Sequence, residues 1–89
     1  MNGQRHREDI IYDILRTAAE GPVPLTRIMA RVGLTTSQTR AYLGYAISKD
    51  LLQVELFPKS SGYQYRTTPK GIVYVNMIDT IRDILPNKK

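Results

Sequence analysis

Apolar residues near the start of the chain recur at helical spacing. Ile10, Ile11, Ile14, Leu15 and Ala18 fall three and four apart and form one stripe, which predicts a helix from Arg7. Glu8 and Asp9 sit in its first turn, where they complement the positive end of the helix dipole, and Gly21-Pro22 ends it. A second, shorter helix starts at Pro24 and Leu25 and carries Ile28, Met29 and Val32 inward. Gly33 is placed to take the left-handed conformation that closes it, and Leu34 plugs the core from the turn. Thr35 and Gln38 then match the Thr-x-x-Gln capping box, in which each side chain satisfies an orphan donor of the other residue. This predicts a third helix from about Thr36 to about Lys49.

Beyond that helix the period changes to two. Leu52-Gln53-Val54-Glu55-Leu56-Phe57 alternates apolar and polar, Pro58-Lys59-Ser60-Ser61-Gly62 is turn chemistry, and Tyr63-Gln64-Tyr65-Arg66-Thr67 alternates again. The segment reads as a β-hairpin. Thr68 caps a fourth helix with Pro69 at its first position, and the helix continues through Ile72, Val75, Ile78, Ile81 and Leu85. Two short helices around a tight glycine-containing turn make a helix-turn-helix, and a hairpin directly after the third helix gives the winged-helix order. The expected class is α+β, mostly α. Residues 1–6 form an N-terminal arm without an apolar anchor, 7–67 the winged helix-turn-helix, and 68–89 a C-terminal helix and tail suited to dimerisation.

The third helix has two unlike faces. Thr39, Leu43, Ala46 and Ile47 cluster inward with Tyr42 at their margin. Ser37, Gln38, Ala41, Gly44, Tyr45 and Ser48 face outward, flanked by Thr36 and Arg40, and no acid lies between Thr36 and Lys49. An ordinary solvated helix favours Glu and Lys. Small residues instead let a helix sit deep in a groove, while Gln, Arg, Ser and Thr offer hydrogen bonds to base edges or phosphates. The competing account is a poorly charged surface or a protein interface. Arg27 and Arg31 on the second helix suit phosphate contact, as Lys59, Ser60 and Ser61 suit a wing tip reaching the minor groove or its phosphates. Each of these is also an ordinary solvated residue. Arg5 and Arg7 add general attraction for a polyanion.

Composition adds less. Thirteen Lys and Arg against eight Asp and Glu give a net charge of +5, which fits a nucleic acid but is also a normal solubility charge. Tyr63, Tyr65 and Tyr74 fit core or dimer packing better than stacking on single-stranded bases. Tyr74, Ile78, Ile81 and Leu85 form a short heptad-like seam, with Val73, Val75, Met77 and Ile84 adding apolar surface beside it. A homodimer through this helix is expected. The chain has no cysteine, and its one histidine, His6, has no partner at ligand spacing. With no clustered acids and no glycine-rich phosphate loop, neither catalysis, a metal nor a small-molecule cofactor is expected. No apolar run approaches the ~20 residues that span a bilayer, and no secretory signal is visible, so a cytoplasmic place is expected.

Several segments together resemble the small archaeal winged helix-turn-helix DNA-binding proteins. They are Ile10-Ile11-Tyr12-Asp13-Ile14-Leu15, Thr26-Arg27-Ile28-Met29, Leu34-Thr35-Thr36-Ser37-Gln38, Tyr42-Leu43, Lys49-Asp50-Leu51-Leu52, and Tyr65-Arg66-Thr67-Thr68-Pro69-Lys70-Gly71. The resemblance runs from about Arg7 to about Lys70. It implies binding of double-stranded DNA by a transcriptional regulator or nucleoid-associated protein, many of which dimerise through the helix after the wing. The alternative is a winged-helix module that binds another protein within a transcription or replication complex. The last helix, about 17 residues or ~25 Å, is shorter than that of the nucleoid type. That argues against a long coiled coil rather than against dimerisation.

Overall fold

The computed structural model describes residues 6–57 and 62–85. Six elements follow in order: α1 (Arg7–Ala19), α2 (Leu25–Val32), α3 (Thr36–Ser48), β1 (Leu52–Phe57), β2 (Gly62–Thr67) and α4 (Pro69–Ile84). The wing tip with Lys59, Ser60 and Ser61 lies outside the described residues, as do Arg5 and the rest of the arm before His6.

The stripe on α1 organises the core. Ile10, Ile11, Ile14, Leu15 and Ala18 are all buried, and Ile28, Val32, Leu43, Ala46, Leu52 and Val75 close around them. Gly33 takes φ 71° and donates its N–H to the Met29 carbonyl at 2.8 Å, so α2 ends in the left-handed cap its sequence calls for. Both halves of the α3 capping box form, each at 3.1 Å. Thr39 is fully buried and satisfies its hydroxyl on the Thr35 carbonyl at 2.8 Å.

The hairpin is antiparallel, with Leu52 opposite Thr67, Val54 opposite Tyr65 and Leu56 opposite Tyr63. An isolated two-stranded hairpin is marginal in water. Here the free edge of β2 is held by Val23 from the α1–α2 loop: Val23 N–H donates to Tyr65 O at 2.9 Å and Tyr65 N–H to Val23 O at 2.8 Å. The wing is thereby fixed to the residue just before α2.

Four segments meet where β2 passes into α4. The Thr67 hydroxyl donates to the Leu15 carbonyl at 2.7 Å. The Thr68 N–H donates to the Leu51 carbonyl at 3.1 Å, its hydroxyl donates to the Asp50 carbonyl at 2.6 Å, and that oxygen accepts the Gly71 N–H at 3.0 Å. Asp50 turns the chain with φ 62°. Gly71 is buried against this knot, and a Cβ there would stand 2.2 Å from the Leu51 carbonyl oxygen and 2.5 Å from Thr67 Cγ2.

From that point α4 lies along α1. Val75 is buried and Tyr74 packs on the core. The Tyr12 hydroxyl donates to Asp79 at 2.5 Å, a bond that raises its pKa, with burial adding to the effect. Arg16 reaches Asp79 at 3.5 Å, and Arg82 pairs with Asp9 at 3.0 Å while lying 4.2 Å over the Tyr12 ring.

Three expectations are corrected. Ile47 is 37% exposed rather than packed, because Leu43 and Ala46 already fill the space beneath α3. Leu85 follows the last helical residue, so the helix ends one residue short of the expected seam. The seam itself is rotated: Tyr74 packs on the core and Ile78 is half-buried, whereas the bare stripe is Val73, Met77, Ile81 and Ile84. Gly71, Val75, Asp79 and Arg82 dock α4 on its neighbours, and the bare stripe is offset from them by two residues, about 200° around the helix.

Gly71→Ala forces backbone atoms apart and is expected to destabilise the protein by about 3 kcal/mol, or roughly 15 °C in Tm. Thermal unfolding followed by circular dichroism checks this; an unchanged Tm would show that the knot yields freely.

Candidate nucleic-acid interface

The capping box starts α3 where the α2–α3 turn delivers it, and Thr39, Leu43 and Ala46 hold one face down. Thr36, Ser37, Gln38, Arg40, Ala41, Gly44, Tyr45 and Ser48 are accordingly all exposed along the other side. The structure brings these eight together as one surface, though not all are free to act alike. Gln38 Oε1 is occupied by the Thr35 N–H, so pairing an adenine through both amide atoms requires Gln38 to leave the cap. The Ser48 hydroxyl turns back to the Tyr45 carbonyl at 2.7 Å, and that of Thr36 to the Met29 sulfur at 3.6 Å. The Tyr45 ring holds two cations, with the Arg7 guanidinium 5.0 Å and the Lys49 ammonium 5.7 Å from its centre. The ring thereby gathers positive charge near the end of α3.

Gly44 stands out. It lies inside the helix, and a Cβ at this position would meet nothing within 4 Å. A mid-helix glycine costs roughly 0.5–1 kcal/mol relative to alanine, and nothing in the fold requires one here. Its absent side chain leaves the backbone of α3 open to close approach.

Charge is sorted by element. The stretch from Gly21 to Lys49, spanning α2 and α3, contains Arg27, Arg31, Arg40 and Lys49 and no acid. The acids lie on α1, its end, the Asp50 turn, β1 and α4. Glu55 on β1 accepts from Gln53 at 2.7 Å and Arg66 at 3.0 Å, which together hold its carboxyl below the usual range. Arg27 and Arg31 are exposed on α2, but Arg27 shares a crevice with Glu20, on the side of the α1–α2 loop.

Sequence reasoning missed Tyr63. Of the core or dimer packing expected for it, the core part does not hold, since it is 63% exposed. It lies on the same hairpin face as Leu52, Val54, Leu56, Tyr65 and Thr67, and that face outruns the core it covers. Among the described residues no group of His, Asp and Glu is arranged to hold a metal ion. Among the same residues no helix is long and apolar enough to cross a membrane.

With the surface placed, comparison with known proteins becomes informative. A family model described as winged helix-turn-helix matches residues 4–85. The chain belongs to the winged helix-turn-helix family. In that frame α2 and α3 form the helix-turn-helix and β1–β2 the wing. No curated protein sequence matches the chain. Among solved structures it resembles Sso10a-2, a DNA-binding protein from Sulfolobus solfataricus, at 24% identity over 90% of this chain and 81% of that one, with a TM-score of 0.78. It also resembles a PadR family transcription regulator from Clostridium difficile, at 16% identity over 85% and 88% of the two chains, with a TM-score of 0.76. A third is the transcriptional regulator BldR from Sulfolobus solfataricus, at 20% identity over 91% and 63%, with a TM-score of 0.71. These likenesses concern the winged-helix fold.

Gly44→Ala is expected to stabilise the winged helix by about 0.5–1 kcal/mol, since the site is open and helical. Urea unfolding measures it; destabilisation would show that the glycine serves the fold after all.

Proposed function

We propose that this winged-helix domain binds double-stranded DNA with α3 in the major groove, and that it works as a dimeric transcriptional regulator or nucleoid-associated protein. The observation that carries the reading is the outer face of α3: small, acid-free, and interrupted by a glycine that the fold does not need. A major groove about 12 Å wide admits an α-helix, and small facing residues let its backbone approach the base edges closely. The arginines of α2 and the cations gathered at Tyr45 supply attraction for the flanking phosphates. The printed descriptions of the structural relatives, a DNA-binding protein and two transcription regulators, support the same reading.

Dimerisation falls to α4. Val73, Met77, Ile81 and Ile84 present an apolar stripe on the side away from α1. Burying each such side chain contributes about 1.5–3 kcal/mol, so a second copy laid against the stripe gains enough to hold. A two-fold pair places two copies of α3 on one side of a duplex.

Fluorescence anisotropy with a random duplex at low salt is expected to give a Kd on the order of micromolar, weakening steeply as salt rises. Absence of binding at micromolar protein would favour a protein-interaction module instead. Gly44→Leu should weaken binding at least about tenfold while leaving the fold intact; equal affinity would remove α3 from the groove. Sedimentation equilibrium should give a dimer, and Met77→Glu with Ile81→Glu a monomer. A monomeric wild type at tens of micromolar would sink the dimer. Selection from a random duplex library then separates a regulator, which enriches a palindrome, from a packaging protein, which enriches nothing.

A further inference from the structure

The wing and the two helices of the helix-turn-helix enclose a groove of 330 Å³ lined by Pro24, Leu25, Thr26, Arg40, Tyr63 and Tyr65. From this convergence we infer that Arg40, Thr26, Tyr63 and Tyr65 form a seat for one phosphodiester group of the DNA backbone, so that Arg40 contributes affinity and does not read a base. The inference rests on the DNA-binding reading above and assigns roles within it.

Three features of the groove select an anion. Arg40 is exposed and has no ion-pair partner among the described residues, and no carboxylate lines the groove. The hydroxyls of Thr26, Tyr63 and Tyr65 likewise have no hydrogen-bond partner among the described residues. An arginine and three hydroxyl-bearing residues lining one groove are residue types that donate to a phosphate. Exposed, or half-buried in the case of Tyr65, and unpaired among the described residues, these groups are open to a ligand that accepts from them.

Position makes that ligand the DNA backbone. Arg40 lies on the flank of α3, one residue before Ala41 and one turn before Gly44. A duplex seated on Ala41 and Gly44 carries one sugar-phosphate strand along that flank, between α3 and the wing. The seat is also rigid. Its wall on β2 is tied through Tyr65 to Val23, the residue before Pro24, by hydrogen bonds of 2.9 and 2.8 Å. The first turn of α2 and the tyrosines of the wing therefore keep a fixed separation, as a site for one small charged group requires.

The test uses the full chain on two unrelated duplexes, with anisotropy titrations from low to moderate salt. Arg40→Ala is expected to weaken binding about tenfold on both duplexes alike and to reduce the slope of log K against log salt by about 0.9. Tyr63→Phe should weaken both about threefold and leave the slope unchanged, because it removes a neutral donor. Both side chains are exposed, so circular dichroism melts should match the wild type.

Unequal losses on the two duplexes for Arg40→Ala would make Arg40 a base reader and overturn the seat, while leaving the DNA-binding reading intact. Undiminished affinity for either variant would overturn it too. A wild type that binds neither duplex would overturn the seat and the reading beneath it.

Discussion

The close contact between Gly71 and the Leu51 carbonyl is the constraint on which the other placements depend. It is possible only without a side chain at position 71, and the hydroxyls of Thr67 and Thr68, the Thr68 N–H and the Asp50 carbonyl gather around it. Through Thr67 it fastens the root of the wing to α1, and through Thr68 it joins the turn after α3 to the start of α4. The root of the wing, the turn after α3 and the start of α4 are thus joined at one point. Because buried backbone polar groups must find partners, a knot that satisfies several of them in one place resists sliding better than apolar contact alone.

Most of the fold was legible in the sequence because most of it is locally encoded. The α1 stripe, the Gly33 cap, the Thr35–Gln38 box and the Thr68-Pro69 start each depend on residues within one or two turns, and each is found as its pattern implies. Rotation of a helix about its own axis is not local. The heptad-like spacing of Tyr74, Ile78, Ile81 and Leu85 identified α4 as two-sided, yet its docked side was set by Gly71 reaching Leu51 and by Asp79 and Arg82 reaching α1. Apolar residues on both sides left the seam misplaced by about a quarter turn. Tyr63 escaped for a related reason: alternation tells which hairpin face it shares but not how far the core beneath that face extends.

The outer face of α3 was legible as a surface and less so as a set of individual roles. Residue types alone do not reveal that Gln38 spends its oxygen on the cap, that Ser48 turns back on its own helix, or that Tyr45 gathers two cations. What remains for contact is mostly small side chains and open backbone around Ala41 and Gly44. Such a face suits recognition by shape and proximity more than by a dense array of base-specific hydrogen bonds.

The separation of charge between elements has a consequence for motion as well as for contact. Arg27, Arg31, Arg40 and Lys49 carry +4 on α2, α3 and the α3 cap, while the remaining residues, which hold every acid, sum to +1. The molecule is thus polarised, with α1 and α4 at its less positive end. For the DNA binding proposed above, the field of the duplex would exert a torque on such a body that turns α2 and α3 toward it before any atoms touch. This alignment acts within roughly one Debye length, ~10 Å at 0.1 M salt, and it raises the rate of productive encounter rather than the strength of the final complex.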